Sequence, residues 1–226
     1  IPGIFLKEIE VVALTSGPGS YTGLRGGMAS AKGLCYALKK PLITIGTLEV
    51  LTVSALQLFP ETPDAVLFCP MIDARRMEIF TAIYQKDLAV FRPPSALILD
   101  EFSFEKELDL KKIMFFGSGS DKWKLVCKHT NAGFENVSIL PGAMSKCSDR
   151  LFLENKFTEL AYSQPMYVKE FQTVIKSQQS LLPNKRYNLN IYLIAYSIIG
   201  IFVLFKHCSI ILNFYPYDDF VSITCA

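Results

Sequence analysis

The stretch TSGPGSYTGLRGGMASAKGLCYAL, residues 15–38, decides how this chain is read, because it sets a glycine-rich turn between a buried strand and a helix. Residues 10–15, EVVALT, are a β-branched apolar run closed by Ser16, Gly17, Pro18 and Gly19, the pattern of a strand leaving through a tight turn. A helix is expected from about Ser20 to Leu38. Pro41 then bounds a short strand, LITI, and Thr47 is placed to cap an amphipathic helix with Leu48, Leu51, Ala55 and Leu58 on one side. The opening of the chain therefore reads strand, helix, strand, helix.

A turn of this kind invites a phosphate-cradle reading, and two patterns fail. A Walker loop needs a Lys-Ser/Thr pair after its last glycine to hold phosphates and magnesium, whereas Gly23 is followed by Leu24 and Arg25. A dinucleotide loop starting from Gly17 and Gly19 needs a third glycine where Thr22 stands. On local pattern alone, the glycines make a tight turn and permit close packing.

Downstream, AVLFCPMID (residues 65–73) and MEIFTAIY (residues 77–84) are strand-like runs separated by Ala74, Arg75 and Arg76, which predicts a hairpin. A strand at IMFFG (residues 113–117) leads through Ser118 and Ser120 into a helical stretch holding Trp123, Val126 and Cys127. The expected division is a first lobe at 1–63, a second lobe at 64–171 and a tail at 172–226. The tail carries an apolar run, IYLIAYSIIGIFVLF (residues 191–205), interrupted by Lys206 and His207 and resuming to residue 214. A membrane-spanning helix needs about 20 such residues. The membrane reading is therefore the weaker one beside a shifted or read-through frame. The start at Ile1, with no cationic region before an apolar run, reads as a truncation.

Lys and Arg number 23 against 21 Asp and Glu, a net charge of +2 that gives no electrostatic footprint for tight nucleic-acid binding. Any RNA is expected to be reached indirectly, through partners. Six scattered cysteines with no CxxC pair argue for reduced thiols in the cytoplasm.

Residues 15–38 resemble the signature of the TsaB (YeaZ) family, GPGS-aromatic-TGLR-apolar-G followed by AKGL. Gly17, Pro18, Gly19, Ser20, Tyr21, Thr22, Leu24 and Arg25 stand at its positions. LITIGTLEVL, FCPMIDARRMEIFTAIY and QPMYVKEF are similar to later parts of the family, in a Bacteroidetes-like version, so that the resemblance covers residues 10–171 and is weakest over 102–161. It implies an α/β, two-lobed fold of the actin-like, sugar-kinase and Hsp70 type. Family members carry a strand hairpin, a third strand and a helix ahead of the equivalent of Val11, so the first lobe is expected to be incomplete. The resemblance also implies a non-catalytic subunit without a cofactor that pairs with the catalytic subunit TsaD. With the ATPase TsaE, these subunits move threonylcarbamoyl from an adenylate to tRNA adenosine. Self-pairing in the partner's absence stays open.

The residues that would carry chemistry are sparse. Nucleotide-hydrolysing relatives of the fold hold phosphates on glycine turns, because only bare backbone offers successive N–H groups at close range. At the Asp73 hairpin, Ala74, Arg75 and Arg76 stand instead. Arg75 and Arg76 are anion-contact candidates, although a solvated turn accounts for them as well. His129 and His207 have no second histidine within ligand spacing, so no metal site is expected. Ser20 lies outside a G-x-S-x-G elbow, which leaves no hydrolase triad. Asp73 and Glu78 read as water-facing charges flanking a turn, and Cys35 and Cys69 as small buried hydrophobes. A nucleotide-dependent kinase or ATPase and a membrane-anchored protein are the alternatives.

The remaining candidate is an interface. At 100° per residue Leu24, Met28, Ala31, Cys35 and Leu38 share a stripe suited to their own sheet, while Gly23, Gly26, Gly27, Ser30, Gly33 and Ala37 gather on an adjacent stripe of small residues. Four helical glycines cost about 4 kcal/mol relative to alanine. A closely packed neighbouring helix could offset that cost through dispersion contacts. The family has a large aliphatic residue where Gly26 stands.

Overall fold

The computed structural model describes residues 8–169, together with the backbone of three later strands. β1 (Ile9–Gly17), α1 (Tyr21–Leu38), β2 (Leu42–Gly46) and α2 (Thr47–Leu58) follow one another as the sequence pattern predicts. β1 and β2 pair in parallel from Val12–Leu42 onward. Val12, Leu14, Met28, Ala31 and Cys35 form the core between one face of the sheet and α1. Val11, Ala13, Ile43 and Ile45 pack on the other face against Val50 and Val53 of α2.

α2 is buried nearly all round. Val50 and Val53 face the first sheet, while Leu51 and Ala55 pack with Phe68 and Phe116 of the second. A helix apolar on every side belongs in a core. Its polar residues are satisfied locally: Thr52 donates to the Leu48 carbonyl at 2.8 Å, and Ser54 to the Val50 carbonyl at 3.0 Å. The cap differs from the sequence expectation. Gly46, with extended backbone, is the N-cap. Thr47 is the first helical residue, and its hydroxyl is buried without a hydrogen-bond partner.

The second sheet has the order β5-β4-β3-β6-β7. β3 (Leu67–Asp73) and β4 (Glu78–Tyr84) form the expected hairpin, and β6 (Ile113–Phe116) runs parallel to β3. β5 (Val90–Ile98) was not legible because Pro93 and Pro94 read as breakers, yet an edge strand tolerates proline. α3 (Glu105–Leu110), α4 (Ser120–Lys124) and β7 (Ala132–Glu135) complete this lobe. α4 ends before Val126 and Cys127, whose N–H groups turn back to the Trp123 carbonyl.

The lobe boundary expected at 64–171 is crossed. α5 (Pro141–Leu153) returns to the first lobe, where Ala143, Met144 and Cys147 join the core shared with Val11 and Ile43. Residues 158–167 then run back along β2 and α1. Thr158 N–H donates to the Leu42 carbonyl at 2.7 Å, and Lys32 holds the carbonyls of Ala161 and Ser163 at 2.9 and 3.1 Å.

The segment set apart as a tail also enters the first sheet. β8 (Gly200–Phe205), β9 (Cys208–Asn213) and β10 (Ser222–Cys225) extend it in the order β10-β9-β8-β1-β2. Among the described residues no helix is long and apolar enough to cross a membrane. The described parts of the apolar run at 191–214 are strands, which removes the spanning-helix reading for them; residues 191–199 lie outside the described residues.

Gly117 sits at φ +94°, where an added Cβ would lie 2.5 Å from the Met71 carbonyl and 2.8 Å from Leu51. Gly117→Ala should therefore cost about 1–3 kcal/mol. Urea unfolding followed by the fluorescence of Trp123, the chain's single tryptophan, measures this. Gly133→Ala, exposed and at ordinary contact distance from its neighbour, should stay within about 0.5 kcal/mol of the parent.

Candidate functional site

At the end of β1 the chain turns through Gly17 at φ +117°. An added Cβ there would lie 2.7 Å from the Met166 carbonyl and 3.0 Å from Leu24, so only glycine admits the returning segment at this distance. Met166 N–H donates to the Ser16 carbonyl at 2.7 Å. Beside it, the rings of Tyr21 and Tyr167 meet at a tilt of 36° with centroids 5.3 Å apart, and Arg25 donates to the Tyr21 hydroxyl at 2.5 Å. Pro18 is buried, Gly19 half-buried and Thr22 exposed. Ser20 caps α1, accepting from Gly23 N–H at 3.5 Å. The turn is covered by the chain's own residues 166 and 167. Gly17, Tyr21, Leu24 and Arg25 thus hold the returning segment against α1.

The small-residue stripe of α1 divides. Gly23 and Gly27 are buried within the lobe alongside Leu24 and Met28, whereas Gly26, Ser30, Gly33 and Ala37 are exposed. A Cβ at Gly26 or Gly33 would meet none of the described residues within 4 Å. Tyr36 (81% exposed) lies on the same helix, and Tyr162 (80% exposed) on the segment beside it. The result is a bare strip of helix with large aromatic side chains close by.

At the β3–β4 turn, Arg75 and Arg76 are exposed and both take left-handed backbone, which costs non-glycine residues about 1 kcal/mol each. The turn is held together by Asp73 and Lys122. The carboxylate accepts from Arg75 N–H at 2.5 Å and from the Lys122 ammonium at 2.6 Å, and that ammonium also reaches the Arg76 and Glu78 carbonyls. Partial burial acts to raise the Asp73 pKa, but the Lys122 hydrogen bond, the Arg75 N–H and the Lys122 charge together hold it below the usual carboxylate range. Glu78 is paired with Lys169, at 2.7 and 2.8 Å. Asp73 and Glu78, read from the sequence as water-facing charges flanking a turn, are each neutralised by a lysine. The two lysines lie 49 and 91 residues away, and nothing in the local sequence marks them.

Burial pushes the thiols of Cys35, Cys69 and Cys147 up, to about 11, 12 and 12, so at neutral pH they behave as small apolar groups. His129 lies 3.3 Å from Asp109, and its Nδ1 accepts from Asn131 N–H. Among the described residues no three His, Cys, Asp or Glu side chains form a group able to hold a metal ion. His207 lies outside the described residues. A cleft of about 570 Å³ opens beside Gly17, Pro18 and Gly46, lined by the ion pairs Glu49–Arg150 and Glu154–Lys156, each at 2.7 Å. Its cations, Arg150 and Lys156, are already paired with Glu49 and Glu154.

Comparison with known proteins gives two kinds of match. A family profile described as TsaD, tRNA N6-adenosine threonylcarbamoyltransferase, matches residues 3–93. A Bartonella bacilliformis protein of that name is 50% identical, but over only 44 residues, 20% of this chain and 12% of the relative. The tRNA threonylcarbamoyladenosine biosynthesis protein TsaB of Escherichia coli K12 is 27% identical over 174 residues, 74% of each chain. The crystal structure of a Pseudomonas aeruginosa protein with similarity to peptidase YEAZ superposes with a TM-score of 0.61 at 18% identity, covering 74% of this chain and 77% of that one. The short matches share one segment with TsaD, while the long match and the fold run with TsaB and YeaZ. The two-lobed actin-like architecture is the one the signature at residues 15–38 implied.

A group whose folded pKa is depressed contributes stability that is fully present above its unfolded value, about 3.9 for Asp, and lost as pH falls through the lower folded value. For Asp73 that loss should appear as a drop in urea midpoint below about pH 4. Lys122→Met should shrink the drop. Parallel midpoint curves for parent and variant would show that the pair does not tune this carboxylate.

Proposed function

We propose that this relative of the TsaB (YeaZ) proteins is a non-catalytic activating subunit in tRNA threonylcarbamoyladenosine synthesis, docking on a TsaD-type catalytic subunit through the outer face of α1. The observation that carries this reading is the bare strip at Gly26, Ser30, Gly33 and Ala37. Each exposed helical glycine costs about 1 kcal/mol relative to alanine, and no contact among the described residues at Gly26 or Gly33 requires the absence of a side chain. A helix laid against the strip would approach closely, with Tyr36 and Tyr162 as aromatic anchors of the kind enriched at interface centres. Gly23 and Gly27 serve the chain's own packing instead, which narrows the interface to the four exposed positions.

The lack of chemistry in this subunit is supported by the Asp73–Lys122 pair, which fills the turn that holds phosphate in nucleotide-hydrolysing relatives of the fold. Transfer then belongs to the partner, with a TsaE-type ATPase completing a cytoplasmic complex. With a net charge of +2, the chain reaches tRNA through that complex.

The test separates folding from docking. Gly33→Leu should raise the isolated chain's stability by about 0.5–1 kcal/mol, because leucine is the better helix former in open space. It should also weaken binding to the TsaD-type subunit at least tenfold in calorimetric titration. Gly26→Ile, filling open space at the contact, should tighten it. Unchanged affinity in a stable Gly33→Leu variant would remove α1 from the interface.

A further inference from the structure

β1 is buried on both faces: Val11, Val12, Ala13 and Leu14 are each 0% exposed. A strand in that position has two edges of N–H and C=O groups, and buried backbone groups left unpaired are rare because each costs as much as a lost hydrogen bond. β2 takes one edge, in parallel register from Val12–Leu42 to Gly17–Gly46. Two strands alone do not make a stable sheet. The other edge is met by β8, antiparallel, with Val11 opposite Leu204, Val12 opposite Val203, Ala13 opposite Phe202 and Leu14 opposite Ile201. β8 is in turn paired along its length with β9, from Phe205–Cys208 to Gly200–Asn213, and β9 with β10. The sequences GIFVLF and CSIILN suit this place, since β-branched and aromatic residues favour strands.

We infer that the second edge of β1 is a strand-addition site filled in cis by the chain's own β8, and that this closure keeps the edge from pairing with another chain. Residues 200–205 and 208–213 are then sheet rather than membrane anchor. An uncovered β1 edge would be a template for pairing with another chain. The β8–β9–β10 ribbon moves the exposed edge outward to β10, a short strand of four residues. The chain thus carries its own complement, and loss of that pairing converts the first lobe into a self-associating surface.

Cysteine cross-linking in the full-length chain tests the register. Directly opposite residues in an antiparallel pair lie about 4.5–5.5 Å apart at Cα, within disulfide range. Under mild oxidation, Val12→Cys/Val203→Cys should give an intramolecular disulfide, identified by peptide mapping against the native thiols. Its yield should be at least tenfold above that of Val12→Cys/Phe202→Cys, one register position away. Equal yields, or a covalent dimer through the 12–203 pair, would overturn closure in cis. In a separate arm, Val203→Pro removes a ladder N–H from β8. It should lower the melting point by about 5 °C or more and produce species larger than those of the parent in sedimentation. A variant that melts and sediments like the parent would overturn the inference as well.

Discussion

The structure depends on α2 having no free face. Its twelve residues wedge between two sheets, with Val50 and Val53 spent on one and Leu51 and Ala55 on the other. Burial of this kind, at about 25 cal/mol per Å² of apolar surface, fixes the two lobes to each other. α1 has only one sheet to pack on, and its outer side is therefore left over. Where α2 meets that situation with side chains all round, α1 meets it with Gly26, Ser30, Gly33 and Ala37. The contrast between a fully committed helix and a half-committed one locates the proposed contact with a partner.

The glycine-rich turn takes on a consistent meaning in this setting. Gly17 is glycine because Met166 closes on it, and Tyr21, itself held by Arg25, meets Tyr167 in the same returning segment. A glycine-rich turn that local pattern reads as a site of close packing serves to fasten residues 166 and 167 over α1. The β3–β4 turn follows the same logic. The position that invites an anion holds an ammonium, Lys122, among a carboxylate and two backbone carbonyls, and its polarity is opposite to that of a phosphate site.

Much of the fold was legible in sequence where periodicity was local: β1, α1, β2, α2 and the β3–β4 hairpin follow from runs of fewer than twenty residues. The lost elements have specific causes. Pro93 and Pro94 disguise an edge strand, and α5 opens with Pro141-Gly142, a start that proline favours but that resembles a turn. Fourfold glycine content in α1 pointed to close packing, yet only burial separates Gly23 and Gly27, which serve the lobe, from Gly26 and Gly33, which do not. Long-range pairs such as Asp73–Lys122, Lys32 with residues 161 and 163, and β1–β8 leave no local trace, because their partners are set by topology.

The central claim is that α1 presents its outer face to a TsaD-type partner. Hydrogen–deuterium exchange on the full chain, with and without a saturating amount of that partner, reads the contact directly. Exchange at residues 26–37 and 158–167 should slow at least tenfold on binding, while residues 90–98, on the far edge of the second sheet, should not change. Protection confined to the second sheet, with α1 exchanging as in the free chain, would contradict the account.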